Sequence, residues 1–110
     1  MNRSDFSGAD LSGADLSKAE LARVVFANAR LSRANFSSAN LSRANLTGVD
    51  LDGVAMAGAY LYLTNLRGTN LSRTTGLTQA QLDLACGTAE TKLPAGLTPP
   101  KDWPCTDEDE

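Results

Sequence analysis

The chain has 110 residues, a formal net charge of −3 and an aromatic content of 5%. This length suits one domain, and no apolar run approaches the roughly 18 residues of a membrane-spanning helix. The chain contains no histidine, which is the commonest general base and metal ligand, and no phosphate-binding loop, nucleophile elbow or Cys-x-x-Cys pair. The sequence therefore predicts a protein without enzymatic activity, cofactor, metal or small-molecule substrate.

A strict five-residue repeat dominates the chain. Every fifth residue from Phe6 to Leu71 is apolar, and a small residue stands two positions before almost every one of them. This period fits neither a helix, at about 3.6 residues, nor a strand, at about 2. The fourteen units from Ser4 to Arg73 therefore predict a chain that turns repeatedly and returns each side chain to the same environment.

The units resemble a known family. Ala9-Asp10-Leu11-Ser12-Gly13 and Ala44-Asn45-Leu46-Thr47-Gly48 match the consensus A-(D/N)-L-X-X of pentapeptide-repeat proteins. The resemblance implies an all-β fold, a right-handed quadrilateral β-helix with four pentapeptides per coil and about three and a half coils. Coils stacked at about 4.8 Å would share backbone hydrogen bonds and form the core between them.

With twenty residues per coil, residues twenty apart are expected to stack. One side then aligns Asp10, Arg30, Asp50 and Asn70, and we expect ion pairs along it, each worth a fraction of a kcal/mol. The other Asp and Asn residues that precede a central position are predicted to stabilise turns. They are Asp5, Asp15, Asn35, Asn40, Asn45 and Asn65.

Another side collects large and basic residues and is called the tyrosine face below. Its outward residues include Glu20, Arg23, Asn40, Arg43, Tyr60, Tyr62 and Leu63. Tyr and Arg are enriched at the energetic centres of protein interfaces, so Arg23, Arg43, Tyr60, Tyr62 and Leu63 are the candidate interaction patch. The alternative is that the C-terminal tail covers Tyr60, Tyr62 and Leu63.

The sequence divides into a repeat domain, residues 1–75, and a C-terminal cap, residues 76–110. Thr78-Gln79-Ala80-Gln81 predicts a capping box at the start of a short helix, about 78–86, that ends at Gly87. Leu77, Leu82 and Ala85 are expected to cover the last coil. An irregular tail pinned by Leu93, Leu97 and Trp103 follows, and Asp107-Glu108-Asp109-Glu110 predicts a disordered acidic end.

Two cysteines, Cys86 and Cys105, flank the irregular segment. A disulfide between them would close a loop of about 20 residues and contribute about 3 kcal/mol. The alternative is a buried Cys86 and a free Cys105 in a reducing cytosol. The N-terminus shows no signal-peptide core, which favours the cytoplasm by default. Removal of a leader together with the disulfide would favour an exported location.

These features favour a non-catalytic module that presents its β-helix sides to an unknown protein partner, as a monomer or a dimer joined by a terminal cap. The resemblance offers an alternative, a DNA mimic that protects bacterial gyrase from quinolones. The repeat opposes it, since residues 1–75 hold eight basic and six acidic residues and span only about 17 Å. Nucleic-acid binding through Arg23, Arg33, Arg43 and Arg73 is disfavoured because acidic residues offset these charges.

Overall fold

The computed structural model describes residues 4–101 and residue 103. The chain winds with twenty residues per coil, because the residue before each central position forms a parallel bridge with its counterpart in the next coil. Four series of bridges result, so the coil has four sides. They are Asp5–Val25–Asn45–Asn65–Cys86, Asp10–Arg30–Asp50–Asn70–Lys92, Asp15–Asn35–Ala55–Thr75 and Glu20–Asn40–Tyr60. The four-sided coil that the family resemblance implies is confirmed.

Each side consists of a single bridged residue and a β-turn. In one example the carbonyl oxygen of Leu11 accepts a hydrogen bond from the amide of Ala14 at 3.0 Å, and the third turn residue, Gly13, has a φ of 73°. A positive φ at this place is typical of a type II turn and favours glycine. Seven turns nevertheless carry another residue there. They are Lys18, Arg23, Asn28, Arg33, Ser38, Arg43 and Leu63.

The apolar central residues fill the inside of the coil. From Leu21 to Leu71 all of them are at most 1% exposed, whereas Phe6, Leu11 and Leu16 of the first coil are only partly buried. The small residues that precede them, from Val24 to Thr69, are buried as well, since the interior leaves room for little else.

A short helix, α1, spans Gln79–Leu84 and replaces the fourth side of its coil. The predicted capping box is confirmed: Thr78 accepts from the Gln81 backbone, and the Gln81 side chain accepts from the Thr78 amide at 2.7 Å. The Gln81 amide group also donates to the carbonyls of Met56 and Ala59, both at 2.9 Å. With Leu82 fully buried, α1 closes this side of the core.

The helix ends earlier than the sequence predicts. It stops at Leu84, and Ala85 is an extended C-cap, so the expected end at Gly87 is wrong. The cause is that the β-helix resumes: Cys86 donates to Thr64 at 2.8 Å and accepts from Leu66 at 2.7 Å.

Trp103 completes the core at this end. Gly87 follows the bridged residue Cys86 and therefore occupies a central position of the repeat. A Cβ at Gly87 would lie 2.4 Å from Cζ3 of Trp103. The indole therefore fills the space that a central side chain would occupy, and its Nε1 donates to the carbonyl of Ala85 at 2.8 Å. Leu93 and Leu97 also pack against the core, as predicted.

The predicted ion pairs between Asp10, Arg30 and Asp50 are wrong, although the three residues do stack. All three are described, and no ion pair joins them. The Asp10 carboxylate instead accepts from the amide and hydroxyl of Ser12, at 3.1 and 2.8 Å. The Asx turns predicted for the other Asp and Asn residues are confirmed by equivalent bonds to the residue two positions on.

Candidate protein-interaction face

The coil brings the predicted patch together on one side. Arg23, Arg43 and Leu63 occupy the same turn position in successive coils, and Tyr60 and Tyr62 lie in the coil of Leu63. At the other end of the tyrosine face, Asn40 Nδ2 donates to Glu20 Oε1 at 3.0 Å. The five residues that the sequence singles out therefore form one continuous surface.

Tyr60 and Tyr62 project outward because they flank Leu61, whose side chain points into the core. Their rings stack with centroids 6.2 Å apart and planes at 12°. The guanidinium carbon of Arg43 lies 5.7 Å from the centroid of the Tyr62 ring, within the range of a cation–π contact. The two tyrosines remain 49% and 39% exposed, so they present aromatic surface to solvent.

The turn corner of this face is strained in the three coils where it forms. Arg23, Arg43 and Leu63 have φ values of 63°, 59° and 52°, in the left-handed region where a side chain costs about 1–3 kcal/mol. Glycine relieves that cost at many equivalent corners, such as Gly48 and Gly53. Side chains are thus retained on this face against a local penalty.

A groove extends the face toward α1. It has a volume of about 210 Å³ and is lined by Gly58, Ala59, Tyr60, Leu61, Ala80, Gln81 and Leu84. This volume is below the roughly 300–1,000 Å³ of typical small-molecule sites, and suits a side chain better than a cofactor.

Leu84 is the residue of this surface that the sequence analysis missed. It is 43% exposed, and its carbonyl accepts from the Leu63 amide at 2.7 Å, which fixes the end of α1 beside the tyrosine face. Leu82 and Leu84 are separated by about 200° around a helix. Once Leu82 is assigned to the core, this spacing indicates that Leu84 points outward.

Described residues of the tail contact α1 and the end of the coil. The amide of Thr98 donates to Gln79 Oε1 at 3.0 Å, and Trp103 packs beside Gly87 at the end of the coil. Among the described residues, no hydrogen bond or ring contact joins the tail to Tyr60, Tyr62 or Leu63, while residue 102 and residues 104–110 lie outside the described residues.

Cys86 is 4% exposed and disulfide-bonded. Cys105, the only other cysteine of the chain, lies outside the described residues, so the pairing of these two stays a prediction. Within the described part of the chain, no group of three or more histidine, cysteine or acidic residues is arranged to hold a metal ion. No helix in that part has the length and apolar character needed to cross a membrane.

Solved structures with the same repeat resemble the chain. A pentapeptide repeat protein from the thylakoid lumen of Arabidopsis thaliana matches with a TM-score of 0.63 and 29% identity over 84% of this chain. Rfr23 from the cyanobacterium Cyanothece 51142 matches with a TM-score of 0.36 and 30% identity over 89% of this chain. HetL from Nostoc sp. PCC 7120, involved in heterocyst differentiation regulation, matches with a TM-score of 0.41 and 27% identity over 86% of this chain.

The chain spans 57%, 61% and 51% of the length of these three proteins. No curated protein matches it. The family model for pentapeptide repeats matches residues 4–43 and 39–75 with eight copies, which together cover most of the chain. The chain therefore belongs to the pentapeptide-repeat family and adopts its right-handed quadrilateral β-helix.

Proposed function

We propose that this chain is a non-catalytic protein-interaction module that binds a partner through the tyrosine face. The observation that carries the proposal is the exposed pair Tyr60 and Tyr62, stacked on one another with Arg43 beside them. Exposed Tyr and Arg in one cluster are the residue types that contribute most to protein interfaces. On the other sides the equivalent outward positions are mostly small or polar.

The proposal is tested by photo-crosslinking at two matched positions. A photoreactive phenylalanine analogue replaces Tyr62 in one variant and Asp52 in the other, because both follow a central residue of the same coil but lie on opposite sides. We expect a crosslinked protein, identified by mass spectrometry, from position 62 only. Equal crosslinking from both positions, or none from position 62, contradicts the proposal.

The captured partner is then measured against a double substitution. Tyr60→Asn/Tyr62→Ser introduces the residues that Asn40 and Ser42 supply one coil below, so the coil itself is preserved. Affinity is expected to fall at least about tenfold, as for the loss of interface hot spots. The control Asp50→Ser/Asp52→Ser should bind like the unmodified chain.

The gyrase alternative requires an acidic, DNA-like surface, which the charge pattern does not support. Between residues 4 and 75 the formal charges cancel on three sides of the coil, and the tyrosine face has one net positive charge. We therefore propose that the chain does not mimic DNA and that its partner is not an enzyme bound in that way.

The disulfide of Cys86 supports the exported location, because disulfides persist mainly in oxidising compartments. We accordingly propose an oxidising compartment for the chain rather than the reducing cytosol.

A further inference from the structure

We infer that the disulfide of Cys86 is a redox latch for the tyrosine face. While the bond is intact, the C-terminal tail holds the end of α1 in place, and reduction of the bond releases it. The latch regulates the proposed interaction and therefore rests on the proposed function.

The disulfide lies at the junction between α1 and the tail. Cys86 is the second residue after α1 and is 4% exposed, and its backbone bonds to Thr64 and Leu66 fasten it to the coil below. Its predicted partner, Cys105, stands two residues after Trp103. This bond would close a loop that contains the whole irregular tail.

Apart from the disulfide, few bonds hold the tail. Within the described part of the chain, three hydrogen bonds join residues 93–101 and Trp103 to the rest of the fold. Two link Thr98 with the Gln79 side chain, at 2.8 and 3.0 Å, and one runs from Trp103 Nε1 to the carbonyl of Ala85 at 2.8 Å. The apolar side chains of this segment are only partly buried. A cross-link that restrains the open states of the loop therefore has a large share in keeping the tail in place.

The tail contacts reach both ends of α1. Thr98 is bonded to Gln79, the first residue of the helix, and Trp103 to Ala85, its C-cap. The middle of α1 is anchored independently, because the Gln81 side chain donates to two carbonyls of the coil below. Release of the tail is therefore expected to free the ends of α1 while its middle stays in place.

The C-terminal end of α1 is also part of the candidate interaction surface. Leu84 lines the groove beside Tyr60, and its carbonyl accepts from the Leu63 amide at 2.7 Å, at the corner of the tyrosine face. Movement of this end changes both the groove wall and the corner. A continuous chain of contacts thus links the disulfide to the face.

The chemistry of the latch is thiol–disulfide exchange. A dithiol reductant supplies two electrons and two protons, the S–S bond of Cys86 becomes two thiols, and the reductant leaves as its own disulfide. In the oxidising compartment proposed above the bond persists, so the closed tail is the resting state. Reduction is expected to weaken partner binding, and reoxidation to restore it.

Amide hydrogen exchange, followed residue by residue by NMR, tests the latch without the partner. Dithiothreitol serves as the dithiol, and alkylation with mass spectrometry confirms that both cysteines are reduced. The Leu63 amide, bonded to Leu84, is expected to exchange at least about tenfold faster after reduction, because the end of α1 opens more often. The matched control is the Arg43 amide, which donates to Tyr62 at 2.8 Å one coil below and should not change.

Cys105→Ser reproduces the open state without a reductant. It should exchange at Leu63 as fast as the reduced chain, and dithiothreitol should leave it unchanged. Equal exchange at Leu63 in the oxidised and reduced chains overturns the inference. Equal acceleration at Leu63 and Arg43, or a disulfide that joins two chains in non-reducing electrophoresis, overturns it as well.

Crosslinking from position 62 connects the latch to binding. Its yield should fall at least about fivefold in the reduced chain and return on reoxidation. An unchanged yield despite faster exchange at Leu63 refutes control of the tyrosine face. Failure of crosslinking in the oxidised chain refutes the proposed function itself, whereas the exchange result still decides whether the latch exists.

Discussion

Short hydrogen bonds between a carboxylate and the serine two residues later fix the corners of the first coil. Asp5 Oδ1, Asp10 Oδ1 and Asp15 Oδ1 each accept from a serine amide and hydroxyl. The serine hydroxyl is the main cause, followed by the amide, of a pKa below the ordinary value of 3.8 for all three carboxyls. These bonds favour the ionised form, so they contribute to stability only while the carboxyls are charged.

The coil is therefore expected to lose stability in acid. A pKa that is lower in the folded than in the unfolded state adds stability above the unfolded value, near 3.8, and this stability disappears as the pH falls through the folded value. Denaturant midpoints measured from pH 6 to pH 2 should drop less in Ser7→Ala/Ser12→Ala/Ser17→Ala than in the unmodified chain.

Ser72→Ala is the control, because Ser72 bonds to the amide oxygen of Asn70 at 2.6 Å, and Asn70 does not titrate. Its effect should be equal at every pH. A triple variant with the same acid sensitivity as the unmodified chain would show that these bonds do not set the pH dependence.

At the scale of elements, the C-terminal cap depends on one glycine and one tryptophan. Gly87 is buried, its φ lies outside the left-handed region, and the Trp103 ring occupies the space where its side chain would be. An alanine there suits the backbone, so any loss of stability must come from the collision with the indole. A substitution at position 87 therefore tests the packing of the tail without adding backbone strain.

Gly87→Ala is expected to displace Trp103 from the core. Because Trp103 is the only tryptophan of the chain, its fluorescence reports the change directly: the emission should shift to the red and the melting temperature should fall. In the control Gly68→Ala, with φ 67° and open space around it, stability should drop by about 1 kcal/mol with unchanged emission. Unchanged emission in Gly87→Ala would contradict the packing described here.

The sequence predicts those parts of the fold that repeat. The five-residue period correctly assigns Leu21 to Leu71 to the core, and the capping box correctly starts α1 after Thr78. The sequence-based prediction fails where a contact distant in sequence determines the local structure. Cys86 is not helical because it forms a bridge with Asn65. Trp103 fills a space beside Gly87, sixteen residues earlier in the chain.

The candidate site shows the same division. The period, together with the four units per coil that the resemblance implies, places all five patch residues on one side, but the exposed position of Leu84 depends on where α1 packs. The expected ion pairs of Asp10, Arg30 and Asp50 fail for a local reason, because the Asp10 carboxylate finds two donors within its own turn.

At the scale of the whole molecule, the two ends of the described coil differ. Leu82 and Trp103 close the C-terminal end, whereas Phe6, Leu11 and Leu16 at the other end are only partly buried. Around those apolar residues stand four exposed acidic residues, one on each side of the coil: Asp5, Asp10, Asp15 and Glu20. Like charges at a sheet edge hinder its pairing with another copy.

Neutralising these charges is therefore expected to cause self-association. In sedimentation velocity the variant Asp5→Asn/Asp10→Asn/Asp15→Asn/Glu20→Gln should form dimers at concentrations where the unmodified chain sediments as one 11.6 kDa species. Asp50→Asn/Asp52→Asn, in the middle of the coil, should not change the mass. A neutralised variant that stays monomeric would show that the acidic residues do not control this end.

The left-handed corner formed by Arg23, Arg43 and Leu63 has an evolutionary consequence. Under selection for thermal stability alone, each of these residues would be replaced by glycine, which occupies the same turn position at Gly48 and Gly53 without strain. Orthologues that have lost the partner are thus expected to accumulate glycine at positions 23, 43 and 63. The residue at this corner then becomes a marker, readable from sequence alone, of lineages in which the interaction persists.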